Sequence, residues 1–361
     1  MSIKNEFMEI TRDKVIEALG NVIEPDLKKD IVSQNLIDNL QIEGQQISLT
    51  VSVVNPALHA RRRMQEAISF ALKRMFGDDI EVETTIEGLP AEAKKSKGQD
   101  RKILPGVKHI VAVASGKGGV GKSTVVSNLV GGLAKAGYKV GVIDADIYGP
   151  SIPTMFDVVG ERPTSIQVDG QQMMGPVVSY GIPIMSIGFF TEQDDAVVWR
   201  GPMASKALTQ MVKDTHWGEL DYLIVDLPPG TGDIHLSLVQ EVPLDGAIIV
   251  STPQEVALAD ARRGVHMFEL DNIKVPVLGL IENMAWFTPA ELPDNKYYIF
   301  GRDGVKNLAK GMNQEFMGQL PLVQSLREAG DIGRPAVMQE NTVISKAFDE
   351  LVRKFVEITN K

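Results

Sequence analysis

Cysteine is absent from all 361 residues. That absence excludes disulfides, thiolate zinc sites and thiol nucleophiles together. No apolar run reaches the roughly 18 to 20 residues a membrane-spanning helix needs. The N-terminus, Met1-Ser2-Ile3-Lys4-Asn5-Glu6, is mixed in charge and has no apolar stretch, so a secretory leader is not expected and a cytoplasmic protein is. Basic side chains are outnumbered, 37 against 47, and a formal net charge of −10 gives no global attraction to nucleic acid. Neither nucleic acid nor a membrane is therefore an expected partner. The five histidines are dispersed, with no i,i+4 pair and no His-Glu cluster, which leaves a zinc site without support. No Gly-x-Ser-x-Gly elbow offers a nucleophile for acyl transfer. What remains is an ordinary globular composition, 43% hydrophobic, long enough for two domains or one large domain with an appendage.

Hydrophobic periodicity divides the chain. Val15, Ile16, Leu19, Val22 and Ile23 recur at helical spacing, and Ile47 to Val53 alternates as a half-buried strand does. Met64, Ile68, Leu72 and Met75 predict a second helix, and Ile80 to Thr84 a second strand. Residues 1–90 thus read as a small α+β domain. Residues 91–106, from Ala91 to Gly106, are rich in Lys and end in Pro-Gly, which predicts a basic flexible linker; a docking patch for an acidic partner is the other reading. From 107 to 361, short apolar segments (109–113, 139–143, 222–225, 247–250 and 277–281) alternate with helical patterns. Strands apolar on both faces and separated by helices predict an α/β domain, a mostly parallel sheet covered by helices on both faces.

The first of those strands runs into Gly116-Lys117-Gly118-Gly119-Val120-Gly121-Lys122-Ser123-Thr124, followed by the helical pattern Val126, Leu129, Val130, Leu133. Strand, glycine-rich loop and helix stand in the order of a phosphate-binding loop. Its backbone N–H groups cradle phosphate and the helix N-terminus adds partial positive charge. Lys122 is expected on the β- and γ-phosphates of ATP and the Ser123 hydroxyl on Mg²⁺. Asp144 and Asp146 follow the second strand, and Asp226 ends the third after four apolar residues. Carboxylates at the C-terminal ends of parallel strands sit where ligands bind in open α/β sheets. Asp226 fits the position that holds Mg²⁺, with Leu227 to Asp233 as a switch loop sensing the γ-phosphate. Of Asp144 and Asp146, one orients the attacking water and the other supports Mg²⁺; Asp146 is favoured for the water. Ile344, Ala347, Phe348, Leu351, Val352, Phe355 and Val356 form an apolar stripe on the last helix. Its polar face balances acid and base, which favours packing on the sheet over lying on a membrane.

The second lysine, Lys117, directly after the first glycine, is the mark of the deviant Walker A class of ATPases. Together with Asp144-Ala145-Asp146-Ile147-Tyr148-Gly149-Pro150, Trp199-Arg200-Gly201-Pro202-Met203, Asp226 to Asp233, Ile281-Glu282-Asn283-Met284 and Arg327 to Asp331, it makes the chain resemble the Mrp/ApbC/NBP35 iron–sulfur cluster carriers. Ile23-Glu24-Pro25-Asp26-Leu27 and Asp30-Ile31-Val32 resemble the MIP18-type domain that bacterial members carry in front. The resemblance implies a homodimer in which Lys117 crosses to the partner's nucleotide, although Lys117 could instead line its own loop. It implies Asn283 on the adenine edge, with a turn-forming Asn as the other reading. It further implies apoprotein clients or cluster-assembly partners and a [4Fe–4S] cluster held between subunits by a C-x-x-C pair just after the Asn-Met strand.

This chain carries Ala285 to Gly301 in that place, without a thiolate. The expected function is a dimeric Mg²⁺-dependent ATPase binding or delivering iron–sulfur clusters. The alternative is an ATP-switched positioning or adaptor protein, like the septum-placing and plasmid-partition ATPases, that handles no metal.

Overall fold

The computed structural model describes residues 10–24, 29–34, 36–53, 58–88, 104–190, 201–232, 235–236, 239–240, 242–289, 291–292, 294–340 and 342–360. Most of the linker expected at 91–106 lies outside them, as do Pro25 to Leu27, Trp199-Arg200 and Asp233. The chain separates into two compact units, Met1–Gln99 and Asp100–Lys361.

In the first unit, helix α1 (Arg12–Leu19) is followed by strands β1 (Ile37–Glu43) and β2 (Gln46–Val53), helix α2 (Leu58–Phe76) and strand β3 (Glu81–Gly88). The three strands form one sheet in sequence order, β1 antiparallel to β2 and β2 parallel to β3. Ile47, Leu49, Val51 and Val53 point every second side chain into a core shared with Met64, Ile68 and Leu72 of α2. The first helix stops at Leu19, short of the apolar Val22 and Ile23: Gly20 caps it, Val22 packs in the core beyond its end, and Ile23 is exposed.

The second unit is an eight-stranded sheet in the order β6-β7-β5-β8-β4-β9-β10-β11. The strands are β4 (Val107–Ala114), β5 (Val140–Asp144), β6 (Val177–Ser179), β7 (Ile182–Ser186), β8 (Leu220–Asp226), β9 (Gly246–Ser251), β10 (Val277–Glu282) and β11 (Phe316–Gln319). All neighbours are parallel except β6 on β7. Both faces are buried. Ile110, Ala112 and Ala114 of β4 join the core under helices α4 (Gly201–Lys213), α5 (Glu255–Glu269) and α6 (Gly304–Gly311). Val111 and Val113 point the other way, under α3 (Lys122–Lys135), α7 (Gln324–Asp331) and α8 (Val343–Thr359). This split explains why the central strands read as unbroken apolar runs. On α8, Ile344, Phe348, Leu351, Val352 and Phe355 are all buried in that second core, so the apolar stripe is spent on packing.

Glu282, fully buried at the end of β10, ties the sheet to α6. Its Oε2 accepts from the Val305 N–H at 2.7 Å, in the first turn of α6, and its Oε1 accepts from Gln319 Nε2 at 2.7 Å. A carboxylate at a helix N-terminus also meets the helix dipole favourably. Glu282→Ala leaves the buried Val305 N–H orphaned, while Gln319 Nε2 keeps its bond to Asp303 Oδ1 at 2.9 Å, and we expect it to cost about 2 kcal/mol. A lowered urea midpoint checks this; an unchanged midpoint would mean that water replaces the carboxylate.

Candidate nucleotide site

β4 ends at Ala114 and α3 begins at Lys122, so the glycine-rich loop spans the top of the sheet's central strand. Two glycines have no substitute there. Gly121 has φ +79°, and a Cβ on it would lie 2.4 Å from Asn283 Nδ2. A Cβ on Gly116 would lie 2.2 Å from the Asp260 carbonyl of α5. The loop is held on two sides: Asn283 Nδ2 donates to the Val120 carbonyl at 2.8 Å, and the Gly230 N–H donates to the Ser115 carbonyl at 2.9 Å. The second bond joins the phosphate loop to the switch segment. Gly118 and Gly119 are exposed at the loop's tip, and Lys117, Ser123 and Thr124 are half-exposed.

Asp144 and Asp226 end adjacent strands and pair in register, which sets their carboxylates side by side. Lys122 answers that charge. Its ammonium, 6% exposed, donates to Asp226 Oδ1 at 2.6 Å and to Ser123 Oγ at 3.3 Å, and lies 3.8 Å from Asp146 Oδ2. Asp226 Oδ2 is buried with no hydrogen-bond partner. Burial pushes the Asp226 carboxyl upward against the pull of Lys122. Asp144 rises to about 7, first through burial and then through the Asp226 charge. Its oxygens accept from the Asp146 N–H at 3.2 Å, the Ile152 N–H at 3.1 Å and the Ser186 hydroxyl at 3.0 Å. Asp146 is less enclosed and accepts from the Tyr148 N–H at 3.2 Å.

The structure thus brings Lys122, Ser123, Asp144, Asp146, Asp226 and Asn283 to one end of the sheet. Ser186 belongs to the same network and was not anticipated. No motif marks it, because Pro183, three residues earlier in the same strand, reads as a strand breaker.

Three carboxylates face one ammonium, and one buried carboxylate oxygen is orphaned. Such a hard-oxygen set suits a divalent cation such as Mg²⁺. Among the described residues no group of three or more His, Cys, Asp or Glu could hold a metal unaided, so waters or phosphate oxygens would complete any such site. A thiolate-ligated cluster has no fit. Where the resemblance implies a cysteine pair, Phe287 and Tyr297 pair backbone to backbone and the Lys296 ammonium lies 4.1 Å over the Trp286 ring.

His235 follows the switch segment, 2% exposed and edge-on to Phe268 at 6.1 Å. Neither ring nitrogen has a hydrogen-bond partner of normal geometry, although the Pro228 carbonyl lies near. Burial pushes its pKa down to about 4. Above pH ~6.5 the ring is neutral folded or unfolded and the stability is fully present. As pH falls from there toward 4, the unfolded chain takes up a proton that the fold refuses, and up to roughly 3 kcal/mol is lost. Asp144, held near 7, contributes in the opposite sense over the same range. The His235 contribution is therefore read as the difference in urea-midpoint slope between the unmodified protein and His235→Leu from pH 7.5 to 5. Equal slopes in both proteins would place the acid sensitivity elsewhere.

The parallel sheet, the glycine-rich loop opening α3 and the strand-end carboxylates define a P-loop nucleoside triphosphatase. Residues 106–356 match the family described as NUBPL iron-transfer P-loop NTPase, and residues 12–84 match the iron–sulfur cluster assembly protein domain. The chain belongs to that family, as an Mrp/ApbC-type carrier P-loop NTPase with the small domain in front and no cysteine. It is 42% identical to an iron–sulfur cluster carrier protein of Synechocystis sp., over 96% of this chain and 97% of the relative. Its counterpart of the same name in Escherichia coli K12 is 41% identical over 98% and 92%. Among solved structures, a nucleotide-binding protein of Archaeoglobus fulgidus in complex with ADP superposes with TM-score 0.58 at 36% identity, covering 68% of this chain and 95% of that one. The septum site-determining protein MinD of Pyrococcus horikoshii, at 19% identity and TM-score 0.52 over 70% and 97%, shares the fold.

Proposed function

We propose that the protein is a homodimeric, Mg²⁺-dependent ATPase that serves iron–sulfur cluster traffic by nucleotide-gated binding of protein clients. The observation that carries this reading is the buried Lys122–Asp226 pair beneath the glycine-rich loop. In the resting chain the lysine neutralises the carboxylate. Phosphates entering the Gly116–Thr124 cradle offer Lys122 a stronger anion, and its departure frees Asp226 to face the cation beside Ser123. Mg²⁺, when bound, neutralises charge on the β- and γ-phosphates. Asp144 supports that site from behind, since its hydrogen bonds to the Asp146 and Ile152 N–H groups hold the following loop. Asp146, closer to solvent, positions the attacking water. Asn283 contacts the adenine while steadying the loop through Val120. Lys117, half-exposed in the loop, acts on the nucleotide of a second subunit. The Gly230–Ser115 bond gives the switch segment a direct path to feel what the loop holds.

The proposal is tested by ATP turnover with and without Mg²⁺, combined with sedimentation against liposomes and DNA. Mg²⁺-dependent turnover without ATP-dependent pelleting is expected. ATP-dependent pelleting with either surface would favour the positioning-ATPase alternative, and absence of turnover in any state would remove the hydrolase reading.

A further inference from the structure

A groove of about 810 Å³ runs along the N-terminal unit between α2 and β3. β3 pairs with β2 from Gln46↔Glu81 to Val53↔Gly88, and among the described residues no strand pairs with its other side. Backbone polar groups of successive residues point to opposite edges of a strand. The Glu81 N–H donates to the Gln45 carbonyl at 3.0 Å on the β2 side, so Val82, Thr84 and Ile86 present their backbone to the other edge. There the Gln65 amide caps the Thr84 carbonyl at 2.8 Å, and an incoming strand would displace it. The side chains of these three turn toward α2: Ile86 is buried, Val82 and Thr84 half-buried. Glu81, Glu83, Thr85 and Glu87 turn the other way and are exposed. An unpaired edge is a template for another strand, with main-chain bonds giving affinity and alternate side chains giving selectivity.

Two features define what fits. Phe70 of α2 stands 70% exposed in the groove wall, an apolar contact left open by the described residues, and Val82 lines the same groove. Within the groove, Glu66 and Asp78 offset Lys73 and Arg74, so the lining selects no sign of charge. The outward face of β3 does select one, through Glu81, Glu83 and Glu87. Opposite charges directly across a strand pair stabilise it and like charges destabilise it.

We propose that this edge takes an extended peptide of a partner protein as an added strand beside β3. The peptide carries Lys or Arg at alternate positions against Glu81, Glu83 and Glu87, and apolar residues between them against Phe70 and Val82. The site is independent of the nucleotide reading and would stand if that reading failed.

The test titrates the full-length protein with an N-acetylated, C-amidated octapeptide of alternating lysine and valine. Binding is followed by NMR with amide hydrogen exchange. Saturable binding is expected, with exchange at Val82, Thr84 and Ile86 slowed at least about tenfold. Phe70→Asp, at an exposed position that does not endanger the fold, should weaken binding by roughly tenfold or more. Reversing Glu81, Glu83 and Glu87 to lysine should transfer the preference to a glutamate–valine octapeptide. A lysine–valine peptide N-methylated on its edge-facing amides keeps its charge and should lose its affinity.

Equal binding of the methylated peptide would reduce the effect to charge attraction and overturn the proposal, as would unchanged affinity in Phe70→Asp or no saturable binding. Protection of the three amides already present in the free protein would mean that the chain covers its own edge, and would overturn it too.

Discussion

Reconstituted with iron and sulfide under exclusion of air, the purified protein is expected to leave gel filtration with no stable [4Fe–4S] cluster. Iron–sulfur clusters are held almost universally by thiolates, and the chain has none. The segment that follows Met284 carries Glu291 and Asp294 as its acidic side chains and no histidine. Hard carboxylate oxygens suit Mg²⁺ or Mn²⁺ far better than sulfide-bridged iron. The segment is instead tied back on itself by the Lys296 ammonium over the Trp286 ring and by the Phe287–Tyr297 backbone pair. Stoichiometric iron and sulfide co-eluting with the protein, with a cluster absorption band, would refute this expectation. A cluster that appears only beside a cysteine-bearing client would mean the chain acts on a partner's cluster as a chaperone. Membership of a carrier family and inability to ligate the cargo are then compatible, because gating by ATP and ligation by sulfur are separate tasks.

How much of this was legible in the sequence depended on how uniformly each strand is buried. The five strands read from apolar runs are those enclosed on both faces, where nothing polar interrupts the pattern. β7 escaped notice because Pro183 sits in it. Its pairing with β5 starts only at Ile184, so the missing N–H is not needed there. β1 escaped because Asn39 adopts φ +51° and the register shifts between Asp38 and Gln41, which breaks the two-residue period. β11 is four residues long, with a glycine, and offers almost no pattern. At the site, the lysine and the serine were legible from the glycine-rich loop that opens α3, and the aspartates from their places at or just past the ends of strands. Long-range partners were not. Ser186 on Asp144, Val305 on Glu282 and Val337 on Asn128 are contacts between distant segments, and only the folded register creates them.

Replacing the two loop lysines should separate binding from turnover. Lys122→Ala removes a charge-assisted phosphate contact worth roughly 1.5–3 kcal/mol, and ATP affinity should fall by about ten- to a hundredfold. It also strips buried Asp226 of the ammonium 2.6 Å from its Oδ1, so the variant should unfold more readily, and thermal melts must accompany the binding data. Among the described residues Lys117 makes no such internal pair, and it is half-exposed. If it reaches the nucleotide only when two subunits close, Lys117→Ala should bind ATP nearly normally. It should nevertheless lose turnover by about 10³ or more, the range found for charges supplied in trans. Asp146→Ala should hold an ATP-bound dimer that does not turn over, seen as a stable larger species in gel filtration with ATP. Should Asp144→Ala do this instead, the two aspartates exchange roles. The contacts of Asp144 argue against that exchange. Its loss would release Ile152, Asp146 and Ser186 together, loosening the loop before any chemistry is reached. Equal loss of ATP binding in Lys117→Ala and Lys122→Ala would place both lysines on the same subunit's phosphates and end the trans assignment.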